Sequence, residues 1–384
     1  MPAEGHALLS ASSSHRWLAC PPSVRLEEPF PDTAGEAAAE GTLAHAIVEE
    51  KLNRLIAGKN PGKASKALRE HPLYKPVMEE HTDEYINYVM GLWEDAKEQC
   101  EDALLLSEQR LDYSPWAPGG FGTGDTLIIA DGECHVIDFK YGKGVPVNAE
   151  DNTQLRLYGL GLWNAYGCLY NITHVECHIV QPRLESTSRE WLPIGRLLSW
   201  GEMYVKPKAR LAWQGEGEFN PGDHCRFCKA KGVCKARAQR QLELARYEFR
   251  DAPLLTNQEI GEILGRVDEL ANWAKSVKDY AHREAVQNGA GFDGWKVVRG
   301  RSNRKLIDES EALGRLEDAG YSLAGLIRLK GLTELEEIIG KQQLAEIFDG
   351  LIVKPEGKPT LVREDDARPA INMRSTAADD FEED

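Results

Sequence analysis

The run Gly122-Thr-Gly124-Asp125, followed after a tight turn by Asp138-Phe-Lys140, is where the types and spacing of residues first suggest chemistry. Side chains alternate along a strand, so Asp138 and Lys140 project together while Ile137 and Phe139 take the other face. Asp131-Gly132 supplies a hairpin turn, and the hairpin brings Asp125 near Asp138. Two carboxylates converging beside a lysine repel one another unless a divalent cation sits between them. Carboxylate and water oxygens suit Mg²⁺ or Mn²⁺, and a nitrogen from His45, on an earlier helix, leans the choice toward Mn²⁺. Such an ion lowers the pKa of a bound water and offsets charge on a phosphodiester under in-line attack. Lys140 would then orient or deprotonate that water, or neutralise the phosphate. The plainer alternative is a pair of solvated strand carboxylates, with Lys140 as their ion-pair partner and His45 as an ordinary helix residue.

A second constellation is Cys225-Arg-Phe-Cys228-Lys-Ala-Lys-Gly-Val-Cys234, three close thiolates where metal sites take four. Cys20, at the end of a short helix and followed by Pro21, is the candidate for the fourth. A structural zinc site with His224 or His15 in its place is the alternative. Cys100, Cys134, Cys168 and Cys177 fall in apparent helices or strands and read as small buried hydrophobes. Eight cysteines in 384 residues are not a disulfide-dense pattern, so the thiols are taken as reduced.

The elements that must position these residues follow from hydrophobic period and punctuation. A short serine-capped helix ends at Pro21 and Pro22, and a strong helix over 35–56 puts His45 and Glu49 on one face. A more polar helix covers 77–101. The period then changes, and strands are expected over 104–111, 123–130 and 134–140, a helix over 150–166 and a strand over 173–181. Glu108, in the first of these strands, is a possible accessory acid. From 197 to 250 the chain reads as helical, interrupted by the cysteine-rich 215–233. Thr256 and Glu259 have capping-box spacing at the start of a helix running to Gly289, and further helices are expected at 309–318 and 332–348. The expectation is an α/β fold with a mixed sheet flanked by helices over 1–250, a smaller mainly helical domain over 251–363 and a disordered acidic tail over 364–384.

Composition bounds the function classes. A net charge of −16 argues against nonspecific coating of nucleic acid but leaves room for a local basic groove. Two stretches offer one: Arg226, Lys229, Lys231, Lys235, Arg237 and Arg240 beside the cysteines, and Trp295 through Arg299, Arg301, Arg304 and Lys305. No apolar run is long enough for a membrane span and the N-terminus lacks a signal-like core, so no membrane partner and a cytoplasmic place in a bacterial host cell are expected.

Gly41-Thr-Leu-Ala-His45, Gly124-Asp125, Asp138-Phe-Lys140 and Gln154-Leu-Arg-Leu-Tyr158 resemble, in order and spacing, the motifs of RecB-type PD-(D/E)xK nucleases, over roughly residues 10–240. The resemblance implies a restriction-endonuclease-like core, with His45, Asp125 and Asp138 binding the metal and Lys140 as the catalytic lysine. Gln154 and Tyr158 would correspond to a QxxxY motif that helps position the DNA and the lysine; the plainer alternative is a surface pair on an amphipathic helix. Cys20 with Cys225, Cys228 and Cys234 is similar to the iron-sulfur subgroup, which includes CRISPR-adaptation nucleases and the AddB-type helicase-nuclease subunit, and this implies a 4Fe-4S cluster. Such a cluster would close a loop of about two hundred residues as a clamp, with no redox duty.

The implied activity is a metal-dependent DNA exonuclease resecting ends in recombination or repair, similar to uncharacterised phage-associated proteins. A phage recombination or single-strand-binding protein is a possible partner. The rivals are an endonuclease or a non-cleaving DNA-binding module of the same fold, and a zinc-stabilised DNA-binding protein.

Overall fold

The structure is a computed structural model that describes residues 7–31, 36–243, 256–298, 308–318 and 329–353, with positions 362, 366 and 369. The chain divides into two compact units, Met1–Lys330 and Gly331–Asp384. The boundary expected at 251 lies outside the described residues, as does nearly all of the acidic tail.

The first unit opens with α1 (Ser14–Ala19) and α2 (Ser23–Glu27), separated by the Pro21-Pro22 step. The short first helix ends at Cys20 as expected, but no serine side chain caps its start; Ser10 Oγ instead lies 2.8 Å from Ser13 Oγ. Then come α3 (Glu36–Ile56), α4 (Lys66–Arg69) and α5 (Val77–Gln99). The sheet follows, with β1 (Leu104–Asp112), β2 (Phe121–Ile129), β3 (Gly132–Phe139), the crossover helix α6 (Thr153–Tyr166), β4 (Ile172–Gln181) and β5 (Ser186–Pro193). The helix α6 starts where Asn152 caps it, its side chain accepting from the Gln154 and Leu155 amides at 3.0 and 3.3 Å.

The five strands lie in the order β1-β2-β3-β4-β5, antiparallel except for the parallel β3–β4 pair that α6 connects. The fold is therefore α/β, a mixed five-stranded sheet flanked by helices. On one face Leu111, Leu127, Val136 and Val175 pack with α6 and the N-terminal Trp17 and Leu18. On the other, Ile128, Ile137 and Phe139 pack with Ile47 and Leu52 of α3 and Tyr85 and Val89 of α5. The strands β1 to β4 thus bury residues on both faces, which is what a sheet between two helical layers requires.

Strand β5 was not expected from the sequence. Of its residues only Leu192 is fully buried, and the inward positions are polar: Ser188 Oγ accepts from the Ala149 amide at 3.0 Å, and Glu190 holds Arg156 of α6. The turn into it uses Glu185 at φ 49 and carries no glycine signal. Beyond the sheet lie α7 (Ile194–Trp200), a π-helical turn over Gly201–Val205, α8 (Lys206–Gln214), α9 (Lys235–Leu242), α10 (Asn257–Leu264), α11 (Val267–Gln287) and α12 (Glu309–Asp318). Thr256 and Glu259 form the expected capping box, although the helix breaks at Gly265 and Arg266. In the second unit, α13 (Leu332–Ile339) and α14 (Lys341–Ile347) replace the single helix expected over 332–348, because Gly340 takes φ 97 and ψ 148, outside any helix.

Candidate functional site

The pairing of β2 with β3 runs from Ile129↔Cys134 to Thr126↔Ile137 and stops. From there β2 stays with β1 as far as Phe121↔Asp112, and β3 stays with β4 as far as Phe139↔Val180. The strands diverge where Asp125 and Asp138 would be the next pair, and a crevice opens at the carboxyl end of β3. The Phe139 amide, deprived of a strand partner on that side, donates to Asp125 Oδ2 at 2.8 Å. Lys140 stays tied to β4 through its amide, 2.9 Å from the Val180 carbonyl oxygen.

The helix α3 carries His45 to this crevice, with its ring edge-on to Phe139 at 5.4 Å and Nδ1 3.6 Å from Asp125 Oδ1. Burial lowers the His45 pKa, so its imidazole is neutral and able to ligate. Glu108 reaches the same point by an unusual route. It sits in β1 at φ 49, the left-handed region, and the ladder resumes in unchanged register with Gln109↔Gly124. One ligand atom each from His45, Glu108 and Asp125 lie within 4.8 Å of one another.

Electrostatics of the pocket favour a cation. Burial, followed by the charges of Glu49 and Asp138, pushes the Glu108 carboxyl up to about 7. Burial and then the Asp138 charge raise Asp125 well above the ordinary carboxylate range. Both shifts come first from burial and then from the crowding of acids, with the Lys140 charge opposing the shift of Asp125.

Asp138, 2% exposed, turns its oxygens to two partners: Oδ2 is 2.8 Å from Lys140 Nζ, and Oδ1 accepts from Gln154 Nε2 at 3.0 Å. Gln154 Oε1 accepts in turn from Lys140 Nζ at 3.4 Å, and Gln154 Nε2 donates to the Tyr158 hydroxyl at 3.5 Å. Gln154 and Tyr158 are therefore not a surface pair; they line the crevice from α6. Tyr158 fits there because β2 has no side chain at Gly122, where a Cβ would lie 2.8 Å from the Tyr158 ring. Burial lowers the Lys140 pKa, but the Asp138 carboxylate outweighs it and the net shift is upward, so Lys140 is a firm cation.

The sequence separation of the cysteines also closes. Cys20, Cys225, Cys228 and Cys234 line one cavity with Arg16, Lys231 and Arg237. Several contacts dock the N-terminal segment there: Arg16 pairs with Glu27, Glu27 Oε2 accepts from the Lys229 amide at 3.2 Å, and Asn220 Nδ2 donates to the Ala19 carbonyl at 3.4 Å. Burial raises the thiol pKa of Cys20, Cys225 and Cys228, the last to about 12, and neighbouring cysteines raise each further. Backbone amides point at these sulfurs, that of Gly222 at Cys225 Sγ being 3.4 Å away.

Of the basic residues expected around this cavity, Arg226 and Lys235 are exposed, and Lys229 and Lys231 are half-buried. Arg237 is buried and donates to the Lys231 carbonyl at 3.1 Å, so it builds the loop, whereas Arg240 donates to the Pro221 carbonyl at 2.6 Å with its side chain still 41% exposed. His15 and His224, the alternative zinc ligands, both have pKa values lowered by burial. Cys100, Cys134 and Cys177 are buried as expected, but Cys168 is exposed, in the turn that follows α6. Of the second basic stretch, Trp295 is largely exposed, and 299–305 lie outside the described residues. No helix among the described residues is long and apolar enough to cross a membrane.

The chain belongs to the family described as "Protein of unknown function (DUF2800)", whose pattern matches residues 6–369. A solved structure described as "Crystal structure of SSO0001" aligns over 58% of this chain and 96% of its own, at 13% identity and a TM-score of 0.24.

Proposed function

We propose that this protein is a divalent-metal-dependent deoxyribonuclease with a RecB-type PD-(D/E)xK core, acting on DNA ends as an exonuclease. The observation that carries the reading is the convergence of His45, Glu108 and Asp125 at the split between β2 and β3, with Asp138, Lys140 and Gln154 on the adjoining wall. The donor set of one imidazole nitrogen and carboxylate oxygens suits Mn²⁺ or Mg²⁺. His45, Glu108 and Asp125 would hold the ion, with Asp138 beside them. When bound, it would supply Lewis acidity at a phosphodiester oxygen and acidify the attacking water.

The remaining roles belong to the chain's own residues. The upward shift of Lys140 favours a cation that meets a phosphate oxygen over a base that takes a proton from water. Gln154 bridges Lys140 and Asp138 and so fixes the ammonium on one side of the crevice. Tyr158 closes the far side beneath Gly122.

The cysteine cavity supports a 4Fe-4S cluster in preference to zinc. Among the described residues, no group of three or more ligating side chains with donor atoms within 4.8 Å of one another contains a cysteine. Four thiolates on one zinc, with Zn–S bonds of about 2.3 Å, would stand about 3.8 Å apart. Sulfurs spread more widely fit the corners of a larger inorganic core, and Arg16, Lys231 and Arg237 offset its negative charge.

The test is degradation of end-labelled linear single- and double-stranded DNA by anaerobically purified protein with Mg²⁺ or Mn²⁺. Asp138→Ala and Lys140→Ala should each abolish product formation. Undiminished cleavage by both variants, or none by the wild type carrying its cluster, refutes the assignment. Cutting of closed circular DNA would move the reading to an endonuclease.

A further inference from the structure

A second group of ligating side chains lies elsewhere on the sheet, and the nuclease reading makes no use of it. In the parallel β3–β4 pair His135 stands opposite Glu176, and Ile137 opposite His178. Because alternate residues share a face, His135, Glu176 and His178 all project toward α5. All three are buried, with His178 wholly inaccessible. His135 Nδ1 and His178 Nε2 are 3.1 Å apart, and Glu176 Oε2 lies 3.6 Å from the first and 3.5 Å from the second.

Three acceptor-bearing groups thus aim at one point. Burial, then its histidine neighbour, lowers the His178 pKa to about 3, and burial lowers that of His135, so both rings are neutral. A single proton between the two nitrogens would satisfy that pair, yet it would leave Glu176 Oε2 3.6 and 3.5 Å from the two rings, longer than an ordinary hydrogen bond, although the Glu176 carboxyl also meets Glu133. A cation satisfies all three. Ligands about 2.1 Å from a tetrahedral ion stand about 3.4 Å from one another, and the observed triangle of 3.1, 3.5 and 3.6 Å matches that.

The outer contacts agree with ligation through His178 Nε2. Its other nitrogen, Nδ1, is 2.9 Å from the Tyr88 hydroxyl on α5, which can accept an Nδ1–H and so support the tautomer that leaves Nε2 unprotonated. Arg189 Nη1, 3.5 Å from Glu176 Oε1, occupies the other carboxylate oxygen.

We propose that His135, Glu176 and His178 bind a divalent ion of the Zn²⁺ class. This site is separate from the crevice at Asp125 and joins β3, the strand that carries Asp138, to β4. Two imidazoles and a carboxylate form a nitrogen-rich set that suits Zn²⁺ better than Mg²⁺. The ion would be a staple between β3 and β4, where two imidazoles and a carboxylate are buried side by side.

The full chain carrying His45→Ala and Glu108→Gln, which removes two donors from the crevice, is stripped with chelator and titrated with Co²⁺ and then Zn²⁺. The expected result is one equivalent of Co²⁺ with visible ligand-field bands, no sulfur-to-metal charge transfer, and displacement by Zn²⁺. Adding His178→Ala or His135→Ala should remove those bands. Should those variants not fold, Tyr88→Phe decides: it keeps all three ligands and should weaken Zn²⁺ binding by about tenfold to a hundredfold. A background protein that takes up no Co²⁺ with nitrogen and oxygen ligation, bands that survive loss of both histidines, or unchanged affinity in Tyr88→Phe overturns the proposal. None of these readouts depends on DNA cleavage, so the nuclease reading stands or falls separately.

Discussion

Metal binding in the crevice should release protons, and Glu108 sets the pH at which it does so. With its pKa at about 7 in the metal-free protein, Glu108 is about nine-tenths protonated at pH 6 and about nine-tenths ionised at pH 8. Only the ionised form ligates, so its share of the apparent Mn²⁺ affinity should change by about tenfold over that interval, equivalent to about 1.4 kcal/mol. Glu108 is partly exposed, so solvent screening makes this a ceiling for that residue. Asp125, also shifted upward, adds to the dependence in the same direction, whereas His45, shifted downward, is already neutral and adds little above its ordinary value.

The stability linkage has a definite sign. Glu108 holds its proton more tightly in the folded metal-free protein than in the unfolded chain, where its pKa is about 4.3. The stability this contributes is full below about pH 4 and is lost as the pH rises through about 7. Added Mn²⁺ should restore it, so the thermal shift on adding Mn²⁺ should grow from pH 6 to pH 8. Calorimetric titration in two buffers of different ionisation enthalpy gives the proton count, with about half a proton expected from Glu108 at pH 7. In Glu108→Gln that release should fall and the pH dependence flatten. Equal Mn²⁺ affinity at pH 6 and pH 8 with no proton release would refute the crowding of acids from which this follows.

Gly122→Ala places a Cβ 2.8 Å from the Tyr158 ring, so the variant should lose about 1–3 kcal/mol and displace the Tyr158–Gln154 contact, measured by chemical denaturation beside the nuclease assay. Lys51→Ala leaves Glu79 buried without the ammonium now 2.8 Å away and should cost about 3–5 kcal/mol, read from the shift in denaturation midpoint. Gly161→Ala is a contest between helix propensity, worth about 1 kcal/mol in favour of alanine, and a Cβ 2.8 Å from Leu111 Cβ. Packing should win, and the variant should be less stable in the same denaturation experiment. Cys20→Ser should lose the visible absorption of a cluster, and an unchanged spectrum would count against Cys20 as its ligand.

What the sequence disclosed was whatever rests on local period and spacing. The alternation around Asp138 and Lys140, the Asp131-Gly132 turn and the Thr256–Glu259 box each depend on a few consecutive residues, and each element stands within a few positions of its expected bounds. The grouping of Cys20 with Cys225, Cys228 and Cys234, which line one cavity, follows from the resemblance, since no local period links residues about two hundred positions apart. Glu108 was visible only as an acid in a strand, since its place beside His45 depends on a positive φ that no neighbouring residue announces. Strand β5 escaped because its inward side chains are polar and find Ala149 and Arg156 as partners, so no apolar period marks it. The pairing of His135 with Glu176 needed the parallel register, which connects strands separated by a whole helix.

The two oxygens of Asp125 divide their labour, and this bears on how any substitution there should be interpreted. One oxygen is spent on the Phe139 amide, and the other, facing His45, is left for a cation. The carboxylate would thus be a wedge as well as the proposed ligand: by taking the amide, it keeps the hairpin from zipping one rung further. Shortening that side chain would let the two strands close over the opening, so loss of cleavage would reflect a vanished entrance as much as a missing donor. A variant that keeps an oxygen for the amide, such as Asp125→Asn, is the cleaner probe of ligation.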